Sequence, residues 1–234
     1  MRKFVYVLCL ALVIFSLPQW AVADTISTVG YYGPYQTGSG GEFTLLPGSS
    51  GGLGSYSGLA SGFVQAGTIQ TFCIEENEYI YPNTTYSYSI SNAAVAGGLG
   101  GQSPFGSGRD PISKGTAFLY YMFATGQLEI YGYDYTPASR LASAAALQNA
   151  IWYLEDEGGS NNYYVALAES MLGNLTEAQV KADNEGLYPV AVLNLTIPGC
   201  RAQDQLVLTP EPLTLILLGL GLVGVAGLRR KDRV

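Results

Sequence analysis

Histidine is absent from this chain. Its absence excludes His-based catalytic triads, imidazole acid–base chemistry and His-ligated metal sites. Charge is scarce too: Asp, Glu, Lys and Arg make up only 12% of the residues. Much of the basic charge sits at the two ends. From Asp24 to Asp204, sixteen acidic residues face only Arg109, Lys114, Arg140, Lys181 and Arg201, a balance of −11. So acidic a body argues against nucleic acid and other polyanions as partners. Cysteine is limited to Cys9, Cys73 and Cys200. What is plentiful is apolar residues, Gly and Tyr, with an apolar share of 48%. That composition excludes a disordered chain and fits an exported globular domain.

Both ends read as addresses. Residues 1–23 have the build of a secretory signal peptide. Arg2 and Lys3 open it, Phe4 to Leu17 is apolar, and Ala21-Val22-Ala23 is an A-x-A cleavage site before Asp24. Cys9 leaves with this peptide, so two cysteines remain. At the other end Thr209-Pro210-Glu211-Pro212 precedes an uncharged apolar run, Leu213 to Leu228, and then Arg229, Arg230 and Lys231. As a helix that run spans about 24 Å, slightly short of a bilayer core of about 30 Å. The basic cluster would keep the C-terminus cytoplasmic.

This segment, residues 209–234, resembles the PEP-CTERM sorting signal, with Pro210-Glu211-Pro212 as the namesake tripeptide. The resemblance implies an exosortase-type membrane protease as processing partner and a Gram-negative host that makes exopolysaccharide. It implies export by the Sec route, a transient hold in the inner membrane through 213–228, and delivery to the cell surface or extracellular matrix.

The body, residues 24–208, reads as strands, then helices, then strands. Thr25 to Tyr32, Glu42 to Leu46, Phe63 to Ile74 and Tyr79 to Ile90 are rich in β-branched and aromatic residues, with Tyr86, Tyr88 and Ile90 on one face. Pro47 to Gly58 and Ala93 to Gly108 are Gly-rich connections. Gly97-Gly98-Leu99-Gly100-Gly101 lacks the Lys-Ser/Thr of a phosphate loop. Three helices are expected: Lys114 to Leu128 capped by Ser113, a second from Thr136-Pro137 to Gly158, and Asn161 to Leu172 before Gly173. A short fourth runs from Glu177 to Asp183. Tyr188 to Ile197 and Gln205 to Leu208 return to strand. The fold class is therefore α+β, a β-barrel or sandwich with a helical insertion on one side, followed by the apolar sorting helix.

One residue of the second helix is out of place. Gln148 shares its face with Leu141, Ala144, Ala145, Ile151 and Trp152, and a carboxamide buried among apolar groups must find hydrogen bonds. One reading is a Gln bonded to a nearby loop. Another makes it a reactant: the Cys73 thiol attacks the Gln148 carboxamide, expels ammonia and leaves an internal thioester. Proximity alone would supply much of the barrier reduction, with no His and no metal. Phe72, Ile151 and Trp152 would shield the bond from water. The competing use of Cys73 is a disulfide with Cys200, the ordinary expectation for two cysteines in an oxidising compartment.

Thr71-Phe72-Cys73-Ile74 and Leu147-Gln148-Asn149-Ala150-Ile151-Trp152 resemble the two motifs of bacterial thioester domains, an aromatic-Cys-aliphatic triplet and Gln-x-Ala-Ile-Trp. Members commonly carry Thr before the Gln, where this chain has Leu147. The resemblance implies an adhesin-like surface protein that attaches covalently to amines or hydroxyls, a single-use crosslinker without cofactor or metal and not an enzyme. Two alternatives stand beside it. One is a non-covalent exopolysaccharide or biofilm matrix protein built on Tyr-rich strands. The other is a hydrolase using Glu75, Glu76 or Glu78, which as a cluster also raise the possibility of a calcium site.

Overall fold

The computed structural model describes residues 24–29, 33–36, 40–48, 53, 67–95, 109–198 and 200–209. The signal peptide, the tripeptide at 210–212 and the apolar run at 213–228 lie outside them. Among the described residues no helix is long and apolar enough to cross a membrane.

An antiparallel sheet forms the frame. Its strands are β1 (Thr25–Thr28), β2 (Phe43–Pro47), β3 (Ile69–Thr71), β4 (Thr85–Ser91), β7 (Val190–Ile197), β8 (Cys200–Arg201) and β9 (Gln205–Leu208). They run in the order β3-β2-β1-β4-β7, and β7 then pairs with both β8 and β9. The sheet also meets its own far edge. Cys73, just past β3, bridges Gln205 of β9, and Leu206 N–H and Ile74 N–H donate to Phe72 O and Asp204 O at 3.1 and 3.2 Å. Early and late strands thus close toward a barrel, and Cys73 sits on the seam. A separate hairpin pairs β5 (Ala93–Val95) with β6 (Arg109–Pro111), so the expected Gly-rich connection begins with a strand.

Alternation sorts the side chains. On β7, Val190 and Val192 face the helices, while Ala191, Leu193 and Leu195 join Ile26, Phe43, Leu45 and Tyr86 in the sheet's own core. The same period turns Phe72 and Ile74 to the helical side and Cys73 to the barrel side. The strand expected from Tyr79 starts only at Thr85. Asn83 has a left-handed φ of 52°, a turn that ends extended pairing before it. Of the three residues placed on one face, Tyr86 is fully buried, Tyr88 half-buried and Ile90 exposed.

The helices lie between β6 and β7: α1 (Lys114–Ala124), a 3-10 turn (Gln127–Tyr131), α2 (Arg140–Leu154), α3 (Tyr163–Met171) and α4 (Glu177–Val180). Ser113 caps α1 by accepting from Thr116 N–H at 3.1 Å, and Asn162 caps α3 by accepting from Tyr164 N–H at 2.9 Å. Thr176 and Gln179 form a capping box for α4. Expected boundaries shift by one to four residues: the second helix ends at Leu154, the third spans Tyr163–Met171 and the fourth stops at Val180. The first helix stops at Thr125, because Gly126 takes a left-handed φ of 74° and a 3-10 turn follows. The second begins at Arg140, because Thr136 N–H is held by the Asp134 carboxylate in a turn before it. On α2, Leu141 is exposed, not buried with Gln148.

Candidate functional site

Helix α2 delivers two side chains to the seam. Gln148 and Trp152 are one turn apart, so both project from the same face, and both are buried. Trp152 packs into the barrel-side cluster that holds Cys73, while Ile151, three residues beyond Gln148, joins the helical core. Phe72 also turns into the helical core, edge-on to Phe123 with ring centroids 4.9 Å apart.

Cys73 and Gln148, 75 residues apart in sequence, meet here. The Cys73 thiol lies 3.2 Å from Gln148 Oε1. Two backbone N–H groups donate to that same oxygen, Gly41 and Cys73, each at 3.2 Å. Gln148 Nε2 in turn donates to Cys73 O at 2.8 Å. The carboxamide is thereby locked in one orientation, its oxygen held by two N–H donors with the Cys73 thiol beside it. Paired backbone donors at a carbonyl oxygen are the arrangement that stabilises the oxyanion of acyl transfer.

Water is kept out. Cys73 is 0% and Gln148 1% exposed. A β-carbon at Gly40 would lie 2.5 Å from Trp152 Cη2 and 2.8 Å from Gln148 Cγ. Only a residue without a side chain lets this backbone close over the pair. Gly41, next in line, has φ 110°, which likewise favours glycine. Burial pushes the Cys73 thiol well above its usual pKa, and the negative charges of Glu75 and Glu76 add to the effect. The sulfur therefore carries its proton at neutral pH. The nearby Trp152 indole N–H, buried and without a hydrogen-bond partner, works the other way and favours the thiolate.

Two further polar clusters flank the pair; the sequence pointed to Glu75, Glu76 and Glu78 of the second, but neither to the first nor to Asp204. On one side Glu42, next to Gly41, forms an ion pair with Arg140 at the start of α2, both side chains fully buried. Its only local hint in the sequence is a basic residue opening an otherwise apolar helix. On the other side Glu75 meets Asp204, whose N–H donates to Glu75 Oε2 at 3.2 Å. Asp204 Oδ2 accepts from Val95 N–H and Asn194 Nδ2 at 2.7 and 2.9 Å, and Glu75 Oε1 has no hydrogen-bond partner. Burial first, then the neighbouring carboxylates Asp204 and Glu78, push Glu75 well up. Burial pushes Asp204 up to about 6, and Glu78 to about 7. Glu76 is instead tied by its N–H to Glu157. Among the described residues, no group of three or more Cys, Asp or Glu side chains is arranged to hold a metal ion.

The two cysteines are unpaired, Cys73 buried and Cys200 exposed on β8. The sulfur of Cys73 is directed to Gln148, so the expected alternative disulfide is not formed. Pro210, Glu211 and Pro212 fall outside the described residues.

Comparison with known proteins bears on the C-terminal end. Residues 208–231 match the PEP-CTERM protein-sorting motif. The match supports an exported protein, held at the membrane before exosortase cleavage and then released to the cell surface. No curated protein and no solved structure matches the chain.

Proposed function

We propose that this exosortase substrate is a covalent surface-attachment protein whose body carries a Cys73–Gln148 thioester. The observation that carries the reading is the triple approach to Gln148 Oε1 by the Cys73 thiol, the Cys73 N–H and the Gly41 N–H. Few structural roles for a buried Gln require a thiol at its carbonyl.

The chemistry balances without cofactor or metal. The Cys73 sulfur bonds to the Gln148 side-chain carbonyl carbon as the bond from that carbon to Nε2 breaks. The thiol proton leaves with the nitrogen as ammonia. The thiol proton starts toward Gln148 Oε1 and passes to Nε2 as the sulfur, attacking as the thiolate, bonds to the carbon. The two backbone N–H groups hold the charge that develops on the oxygen, a contribution of about 3–4 kcal/mol for one well-placed donor. An incoming amine or hydroxyl then takes the acyl group and returns a proton to Cys73. Each molecule reacts once, so the protein is a crosslinker and not a turnover enzyme. Its target is an amine or hydroxyl of a cell-surface or extracellular-matrix polymer of a Gram-negative host.

Intact mass of the denatured protein without reductant tests this reading. A thioester makes the chain lighter by one ammonia, and methylamine treatment adds one methylamine. The Cys73→Ala variant should have its calculated mass. Wild type at its full calculated mass, with Gln148 unconverted to Glu, sinks the proposal.

A further inference from the structure

The segment Gly40-Gly41-Glu42 is laid against α2 at three points. Gly40 packs on the Trp152 ring, Gly41 N–H donates to Gln148 Oε1 at 3.2 Å, and Glu42 pairs with Arg140. The third point is built to a fixed geometry. Arg140 Nε donates to Glu42 Oε2 at 2.8 Å and Nη2 donates to Oε1, a two-pronged grip. Tyr133 Oη also donates to Oε2, at 2.9 Å. The guanidinium lies 4.4 Å from the Tyr35 ring centroid and 5.4 Å from that of Tyr135.

Stability alone does not account for this pair. Two charges removed from water regain little more than apolar side chains of the same volume would provide. What the pair adds is register between one loop and one helix. We infer that Glu42 and Arg140 are positioning residues for thioester formation: their ion pair holds the Gly41 N–H at the Gln148 carbonyl oxygen. The inference rests on the Cys73–Gln148 reading above. Neither side chain touches the reacting atoms. Each acts through the backbone of Gly41, whose N–H, on the peptide from Gly40, is the oxyanion donor supplied from outside Cys73's own backbone.

The test follows bond formation in the full chain. Protein unfolded in denaturant, with Cys73 and Gln148 unreacted, is refolded by dilution into detergent and sampled for intact mass. Wild type develops the ammonia deficit. The Glu42→Met/Arg140→Met double variant, which removes both charges, is expected to fold cooperatively yet develop the deficit at least about 100-fold more slowly, the loss of one oxyanion donor. Arg140→Lys, charged but without the fork, falls between. A folded double variant that reacts at the wild-type rate overturns the positioning role while leaving the thioester standing. A wild type that never develops the deficit removes the thioester and this role together. Should the double variant not fold, amide exchange in folded Glu42→Gln decides. Gly41 N–H is expected to exchange at least about tenfold faster than in wild type while Cys73 N–H keeps its protection. Unchanged protection at Gly41 overturns the inference.

Discussion

Glu42 and Glu75 are both buried acids within two residues of a group that touches Gln148, and they have opposite surroundings. Glu42 faces Arg140 and Tyr133, so its charge is matched within the fold. Glu75 faces Asp204 and Glu78, so its charge is opposed. In both cases burial is the larger influence and raises the pKa. At Glu42 the neighbouring side chains work against it, through the Arg140 hydrogen bond and charge and the Tyr133 hydrogen bond, whereas at Glu75 the side chains of Asp204 and Glu78 add to it and only backbone hydrogen bonds oppose it. The contrast teaches that the same residue type serves two ends beside one site. The matched acid sets geometry, and the opposed acid sets a pH response.

Removing the match is the most damaging way to break the comparison. Arg140→Met leaves Glu42 as an uncompensated buried carboxylate and should cost about 3–5 kcal/mol, read by denaturant titration. The double variant that also removes Glu42 should recover most of that loss. A single variant as stable as wild type would mean that Glu42 is not held as a charge.

The opposed side is sharpened by pH. A carboxyl whose folded pKa lies above its unfolded value binds its proton more tightly in the native state. Its contribution to stability is therefore complete below an unfolded pKa of about 4 and is lost as pH rises through the folded value. With Asp204 raised to about 6, Glu78 and Glu155 to about 7 and Glu75 well up, the protein should become steadily less stable as pH rises from about 4 through about 7. Asp204→Asn should flatten that fall by about 2 kcal/mol, because it removes one titrating carboxyl and relieves Glu75. Thermal melts of the two proteins at both ends of the range check this. A parallel decline would assign the pH response to the other acids.

Between the two acids lies the closing backbone at Gly40. Gly40→Ala adds a methyl 2.5 Å from Trp152 Cη2 and 2.8 Å from Gln148 Cγ, overpacking worth about 1–3 kcal/mol. The larger consequence falls on the pair itself. Displacing Gln148 takes its oxygen off two donors, so the ammonia deficit should disappear while the fold persists. A variant with a full deficit would show that the segment yields and Gln148 does not.

Much of the frame is legible in local sequence because local physics decides it. The last strand, Gln205–Leu208, falls at the residues expected for it, and Ser113 and Thr176 mark helix starts through caps that need only neighbouring residues. Gln148 stands out because one polar group on an apolar face is visible in any periodic reading. The elements that complete the site are of another kind. The seam at Cys73 and Gln205 depends on the register of strands more than a hundred residues apart. The Gly41 donor is a backbone N–H, which every residue but proline carries. Glu42 and Arg140 are separated by 98 positions, and nothing near either one announces the other. Phe72 is a case where adjacency misleads: its period along the chain turns it away from Cys73's side of the sheet and into the helical core.

The smallest expected effect separates the two cysteines. Cys200 is exposed on the two-residue strand β8, paired only along its backbone with Ile197. Cys73 is fully buried, and its sulfur has an acyl partner at 3.2 Å. Exposed substitutions away from special features stay within about 0.5 kcal/mol, so Cys200→Ser should leave stability and the ammonia deficit as they are. A disulfide between the two would behave oppositely. Its loss would cost about 2–5 kcal/mol, wild type would be lighter by two hydrogens in place of an ammonia, and reductant would restore the mass. Comparing wild type and Cys200→Ser with and without reductant thus reads which partner Cys73 has chosen. Burial already favours the answer, since Cys73 is fully enclosed while Cys200 lies on the surface.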